Sequence, residues 1–198
     1  KKALTLFLKR DHLTSPTKFL KICQNITLGG KKRNLLSMQK KALKKLIKLL
    51  DLETLEENLF RGQSENIGGP RVFGGQVIGQ ALTAAARTVP EKRYTHSLHA
   101  YFLRPGDMEY PIIYDVERTR DGGSFTTRRV VAIQKGEPIF DMALSFHKKE
   151  KGPSHQINME DIPGPNECVS ELEIKKKMID KVPAKYRDFF LREKPIEM

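Results

Sequence analysis

A chain of 198 residues can bury a core without disulfide or metal staples, and its two cysteines, Cys23 and Cys168, stand far apart with no CxxC spacing or histidine cluster to suggest either. No run reaches the 18 apolar residues of a membrane span, and no secretory signal opens the chain, so a reducing compartment is expected. The net charge of +12 is unevenly placed: residues 1–50 hold 14 Lys+Arg against one acid, Asp11, whereas the remainder holds 22 Lys+Arg and 23 Asp+Glu. Those leader lysines lack interleaved stacking aromatics, so they offer nucleic acid only a salt-sensitive, unspecific attraction, and no specific nucleic-acid partner is expected.

Residues 1–37 alternate short apolar pieces with lysines and turn formers such as "TSPT" and "LGGKKRN", which predicts a basic, poorly ordered extension. Its lack of acids fits an organelle-targeting peptide, and its Lys rather than Arg content does not. Met38 is the expected natural start. From there "MQKKALKKLIKLL" sets Leu43, Leu46, Ile47 and Leu50 on one face and Lys41, Lys44, Lys45 and Lys48 on the other, which predicts an amphipathic helix packed on the following domain rather than on a membrane.

"RVFGGQVIGQALTAAA" (71–86) follows. A phosphate loop needs G-x-x-x-x-G-K-[ST], or G-x-G-x-x-G after a strand, and neither order is present. A helix from about Gly75 to Thr88 accounts for more of the residues: Gln76, Gln80, Thr83 and Arg87 form one narrow stripe, and small or apolar residues fill the rest. Such a helix is enclosed on nearly all sides. Its glycines leave the first N–H groups unobstructed, where the helix dipole favours a polarised carbonyl or an anion.

Four segments rich in aromatic and β-branched residues come next: 94–103, 111–120, 124–134 and 138–147. The turn sequences "RPGD", "DGG" and "KGE" between them predict consecutive hairpins, hence an antiparallel sheet. One helix preceding four long strands must bury its apolar surface against that sheet. The fold class is therefore α+β. Residues 151–166 read as a Pro/Gly linker and 167–181 as a second helix.

"LFRGQSENIGGPRVFGGQVIGQALTAAARTVP", "HSLHAYFLRPGD", "PIIYDVERTRDGGSF" and "GEPIFDMALSFH", in this order, resemble the N-terminal hotdog domain of the acyl-CoA thioesterase II family. The likeness runs from about Leu43 to His155 and more weakly to Met198. It implies a hotdog fold, a central helix wrapped by a curved antiparallel sheet, with domains at 1–37 (extension), 38–150 (first hotdog) and 151–198 (linker leading to a second hotdog). Members of the family hydrolyse fatty acyl-CoA to free acid and coenzyme A without a cofactor or covalent intermediate. In the family's scheme an Asp, a Ser or Thr and a Gln activate water, while backbone N–H groups hold the oxyanion. Those three residues sit in the second repeat, in motifs absent before Met198, so no catalytic residue and no metal site is expected in this chain, which reads as truncated.

The resemblance and the local pattern together nominate Gly74, Gly75 and Gln76 at the helix start, then His96, Ser124 and Phe125, as substrate-binding residues. Arg61 and Arg104 are candidates for the phosphates of coenzyme A. Asp107, Asp115, Asp121 and Asp141 are expected in turns and on exposed strand faces. His96 and His99, three apart on a strand, should point to opposite faces unless the strand bends. The expected partners are fatty acyl-CoA, a second hotdog domain in the same or another chain, and further copies in a homo-oligomer. The expected compartment is the cytoplasm in a bacterium or the peroxisome in a eukaryote. A binding or dimerisation module without chemistry is the alternative. A hotdog dehydratase is disfavoured because 75–88 contains no acid.

Overall fold

The computed structural model describes residues 33–66, 69–164, 166–192, 194–196 and 198, and for 33–40 the backbone alone. The expected extension at 1–37 thus lies largely outside the described residues. Where description begins, helix α1 (Arg33–Leu50) already runs through Met38. Lys41, Lys44, Lys45 and Lys48 are exposed on it, as their spacing requires.

The described residues group into two compact units. One is 47–149, and the other combines α1 up to Leu46 with 150–198. In the second unit, 150–164 has no regular structure, and a helix α3 (Glu171–Met178) continues into a short turn at Ile179–Lys181. Ser170 caps α3 by accepting from the Glu173 amide at 3.3 Å. Glu171 in its first turn binds Lys175 and Lys194, both at 2.8 Å, on the side where the dipole favours negative charge. A last short helix α4 (Arg187–Phe190) follows.

The larger unit contains β1 (Glu53–Glu56), β2 (Leu59–Gly62), helix α2 (Gly74–Arg87), β3 (Arg93–Phe102), β4 (Ile112–Asp121), β5 (Phe125–Gln134) and β6 (Glu137–Lys148). All six strands join one antiparallel sheet in the order β1-β2-β4-β5-β6-β3. β1 and β2 had no sequence signal, because Glu53–Glu56 is exposed throughout and no alternation marks it. The hairpins β4–β5 and β5–β6 agree with their turn sequences. In the second of these, Lys135 and Gly136 both adopt positive φ, 53° and 79°, the pair of left-handed residues that a two-residue hairpin turn requires.

The "RPGD" turn is the exception. β3 does not form a hairpin with β4; it pairs with β6 on the far edge of the sheet. The nine residues from Leu103 to Pro111 make this possible. Extended, they reach about 30 Å, against roughly 14 Å for three strand spacings.

Helix α2 packs chiefly on β5, with β4, β6 and β2 beside it. Its small side chains let it sit deep: Ala81, Ala84 and Ala85 have no exposed surface. Opposite them the sheet supplies Ile112, Tyr114, Val130, Ala132, Phe140, Met142 and Phe146. The polar stripe of α2 bonds within the protein, with Gln76 and Gln80 buried and Arg87 exposed. Gln80 donates to Leu49 O (2.7 Å) and Gln63 O (2.9 Å) and accepts from the Tyr114 hydroxyl (2.7 Å). Burial pushes the Tyr114 phenol far above its ordinary range, so it stays neutral and donates. Arg87, at the end of the stripe, binds Leu52 O and Asp51.

The C-terminal end of α2 is fixed by Arg128, which is fully buried. Its guanidinium donates to Thr88 Oγ1 and O, to Thr127 O and Arg120 O, and to Asp121 at 2.8 and 3.0 Å. Every side of the planar fork meets an acceptor, which is the condition for keeping such a cation in a core. Partial desolvation pushes the Asp121 carboxyl up, but the hydrogen bond and charge of Arg128, with Thr126 and Arg118, outweigh it and hold the group below its usual range.

Candidate functional site

The N-terminal end of α2 is its open end. Phe73 occupies the cap position and makes no side-chain cap, so the amides of Gly74 and Gly75 gain no side-chain acceptor from it. A Cβ on Gly74 would lie 2.8 Å from the Phe102 ring, so any larger residue there would have to displace that ring. Beside this end lies a cavity of about 380 Å³. Val72, Val77, Ile139, Phe140 and Phe102 give it apolar walls, the loop Leu103–Gly106 closes one side, and Arg71 and Arg104 also line it. The Phe102 and Phe140 rings meet at a tilt of 54° with centroids 5.0 Å apart. A cleft of mixed polar and apolar surface beside the first turn of a helix suits a ligand that joins an apolar chain to a carbonyl.

The nominated residues fall into two groups. Gly74 lines the cavity and Gly75 adjoins it. The side chain of Gln76 is committed elsewhere: it is buried, accepts from the Glu65 amide at 3.1 Å and donates to Gln63 O at 3.2 Å, fastening 63–65 to the helix. His96 and Phe125 sit together on the outer face of the sheet, away from α2, with ring centroids 5.7 Å apart and His147 beside both. His96 Nε2 meets Ser145 Oγ at 2.8 Å. Ser124 stands in the turn before Phe125, its carbonyl accepting from the Lys148 amide.

A register shift falls between Thr95 and Ser97, making His96 an extra, bulged residue. That bulge corrects the simple alternation of β3. His96 reaches Ser145, and His99 pairs across from Ala143 two positions along the same strand, so both imidazoles lie on the outer face instead of opposing ones.

Arg61 is ion-paired with Glu53 at 2.6 Å, and Arg104 with Glu137 at 3.3 Å while also donating to Pro138 O. The four aspartates are on the surface. Asp115 is exposed, Asp121 serves Arg128, Asp141 serves Arg129 at 2.5 Å, and Asp107 serves Lys135 at 2.8 Å. The hydrogen bond from Lys135, seconded by the Glu109 amide, holds the Asp107 carboxyl below its usual range. None of the four lines the cavity. Among the described residues no cluster of three or more His, Cys, Asp or Glu could hold a metal ion, and no helix is long and apolar enough to cross a membrane.

Sequence reasoning missed Phe102, the residue shared by cavity and strand. Its signal was present in "SLHAYF", where Leu98, Ala100 and Phe102 recur at period two and pair with Leu144, Met142 and Phe140 on the helix-facing side.

A helix of this kind enclosed by a six-stranded antiparallel sheet defines a hotdog domain, and a crystal structure from Alicyclobacillus acidocaldarius described as having a hot dog fold matches it with TM-score 0.55 over 64% of this chain and 48% of that one, at 21% identity. Residues 61–147 match the family model described as the acyl-CoA thioesterase N-terminal domain. The acyl-CoA thioesterase 2 of Haemophilus influenzae is 44% identical over 156 residues, 79% of this chain and 54% of that protein. Human acyl-coenzyme A thioesterase 8 is 48% identical over 122 residues, 61% of this chain and 38% of that protein. An acyl-CoA thioesterase II from Mycobacterium marinum has a crystal structure with TM-score 0.55 and 50% identity, covering 61% of this chain and 45% of that one. Over residues 61–147 the hotdog unit is thus similar to the N-terminal domain of acyl-CoA thioesterases. The chain spans about half the length of the Haemophilus relative and less of the human one.

Proposed function

We propose that this chain supplies the first, non-catalytic hotdog of an acyl-CoA thioesterase, an enzyme that hydrolyses fatty acyl-CoA to free acid and coenzyme A. One observation carries the reading: the cavity at the open end of α2 is walled by Phe102, which belongs to a strand at the edge of the sheet, with one side unpaired among the described residues. Along β3 the helix-facing residues Leu98 and Phe102 are 44% and 58% exposed, although their partners on β6 are buried. An edge strand of ten residues with an apolar row at Leu98, Ala100 and Phe102, exposed at Leu98 and Phe102, is a template for pairing, and a second hotdog of the same or another chain would cover it and complete the cavity.

In this reading the apolar walls take the acyl chain and the α2 amides face the thioester carbonyl. Water is the nucleophile, no cofactor is needed beyond the coenzyme A within the substrate, and the second hotdog provides the carboxylate that deprotonates the water. The enzyme works in the cytoplasm of a bacterium or the peroxisome of a eukaryote. The test is to incubate the purified chain with palmitoyl-CoA and a thiol reagent, and separately to titrate it with a non-hydrolysable S-alkyl-coenzyme A. Binding without thiol release is expected. Rapid thiol release would place a catalytic set within this chain and overturn the non-catalytic assignment.

A further inference from the structure

We propose that Gln134 is the positioning residue that anchors the segment 103–110, whose first four residues wall the cavity, and so sets the width of the cleft. This rests on the reading of the cavity as the acyl-CoA site. The wall is irregular chain: it leaves β3 at Phe102 and regains regular structure only at Ile112. A segment of that kind keeps one shape only if its backbone groups find partners.

Those partners cluster at one hairpin. Gln134 is the last residue of β5 and is 5% exposed. Its Nε2 donates to Asp107 O and to Tyr110 O, both at 2.8 Å, and its Oε1 accepts from the Asp107 amide at 2.8 Å. One buried amide therefore closes a three-bonded clamp on the bend. Lys135, the next residue, pairs with Asp107 at 2.8 Å and lays its ammonium 3.8 Å from the centroid of the Tyr110 ring. Ile139 O accepts from the Leu103 and Arg104 amides at 2.9 and 3.2 Å, and Arg104 reaches Pro138 O. From the other side the Val72 amide donates to Gly106 O at 3.0 Å, and a Cβ on Gly106 would meet Val72 at 3.0 Å and Gln134 Oε1 at 3.5 Å.

The turn between β5 and β6 thus moulds Leu103, Arg104, Pro105 and Gly106, which line the cavity, without touching the ligand volume through Gln134 itself. Removing the carboxamide while keeping side-chain length leaves two carbonyls and one amide without partners and frees the wall. Loosening then costs affinity because the ligand must order the wall on binding.

The test uses the full chain and S-decyl-coenzyme A. In Gln134→Met the affinity measured by calorimetry is expected to fall about tenfold or more, because the ligand must order a wall that has lost three part-buried hydrogen bonds. Hydrogen exchange at the Asp107 amide is expected to lose its protection while Val130 and Met142 in the sheet keep theirs. Arg128→Met, at the opposite end of α2, controls for general destabilisation and should leave affinity within about twofold, since nothing it touches lines the cavity. Should Gln134→Met fail to fold, the exposed Lys135→Met removes only the outer half of the clamp, and a drop of about threefold is expected. Unchanged affinity in a folded Q134M, or unchanged exchange at Asp107, would overturn the proposal. Failure of the native chain to bind S-decyl-coenzyme A would instead overturn the reading of the cavity, while the exchange data would still decide whether Gln134 holds the wall.

Discussion

Strands β5 and β3 are each ten residues long, lie one strand apart in the same sheet, and behave in opposite ways. On β5 every second residue is buried, from Thr126 through Arg128, Val130 and Ala132 to Gln134. On β3 no residue is buried, although Leu98, Ala100 and Phe102 present the same period-two apolar pattern. The difference lies in what covers each strand: α2 rests on β5, whereas β3 has, among the described residues, one unpaired edge and little of the helix above it. An apolar alternation shows that a face is meant to be covered, and the partner need not belong to the same domain.

Substitutions can break this contrast, and the largest effect should come from beneath the helix. Phe140→Ala, at a position with no exposed surface, is expected to cost about 3–5 kcal/mol in denaturant unfolding. Its ring partner across the strands, Phe102→Ala, should cost less than about 1 kcal/mol in the monomer, where the ring is 58% exposed. A loss that grows with protein concentration is expected where assembly covers β3, and a loss equal to that of Phe140→Ala in the monomer would break the contrast. Between these extremes, Arg128→Met should cost about 2–3 kcal/mol, since it strands Thr88 O and Arg120 O inside the protein. Tyr114→Phe, which removes a single buried hydrogen bond to Gln80, should cost about 1 kcal/mol by the same assay.

The smallest effect is in acid. The Asp121 carboxyl titrates lower in the folded protein than its ordinary value of 3.8, so near that pH the unfolded chain binds more protons. Its contribution is complete above that value and is lost as pH falls through the lower folded one. Asp121→Asn should therefore flatten the fall of melting temperature below about pH 4 and leave its dependence near neutrality unchanged. A variant that still lost stability as steeply in acid would remove Asp121 from the account.

Much of this fold could be read from residue pattern. The stripe of small residues from Gly75 to Thr88 located the central helix to within a residue at each end, because alanines and glycines in that number fit only a helix approached closely on several sides. The four long strands followed from their aromatic and β-branched content. Strand order was not legible in the same way, since "RPGD" has the composition of a tight turn and acts as part of a crossover. The bulge at His96 left no mark in residue type either. At the site, the glycines of α2 were readable because their smallness has a geometric cause, whereas Gln134 was not: a glutamine closing a strand carries no signal until the loop it clamps is folded against it.

The central claim is that β3 is an assembly edge. Sedimentation equilibrium of the purified chain at micromolar concentration tests it most directly, with Leu98→Lys as the comparison, since an inward-pointing charge on an edge strand blocks pairing without disturbing a buried core. A dimer for the native chain and a monomer for Leu98→Lys are the predicted results. A native chain that stays monomeric, or a dimer indifferent to the lysine, would contradict the account.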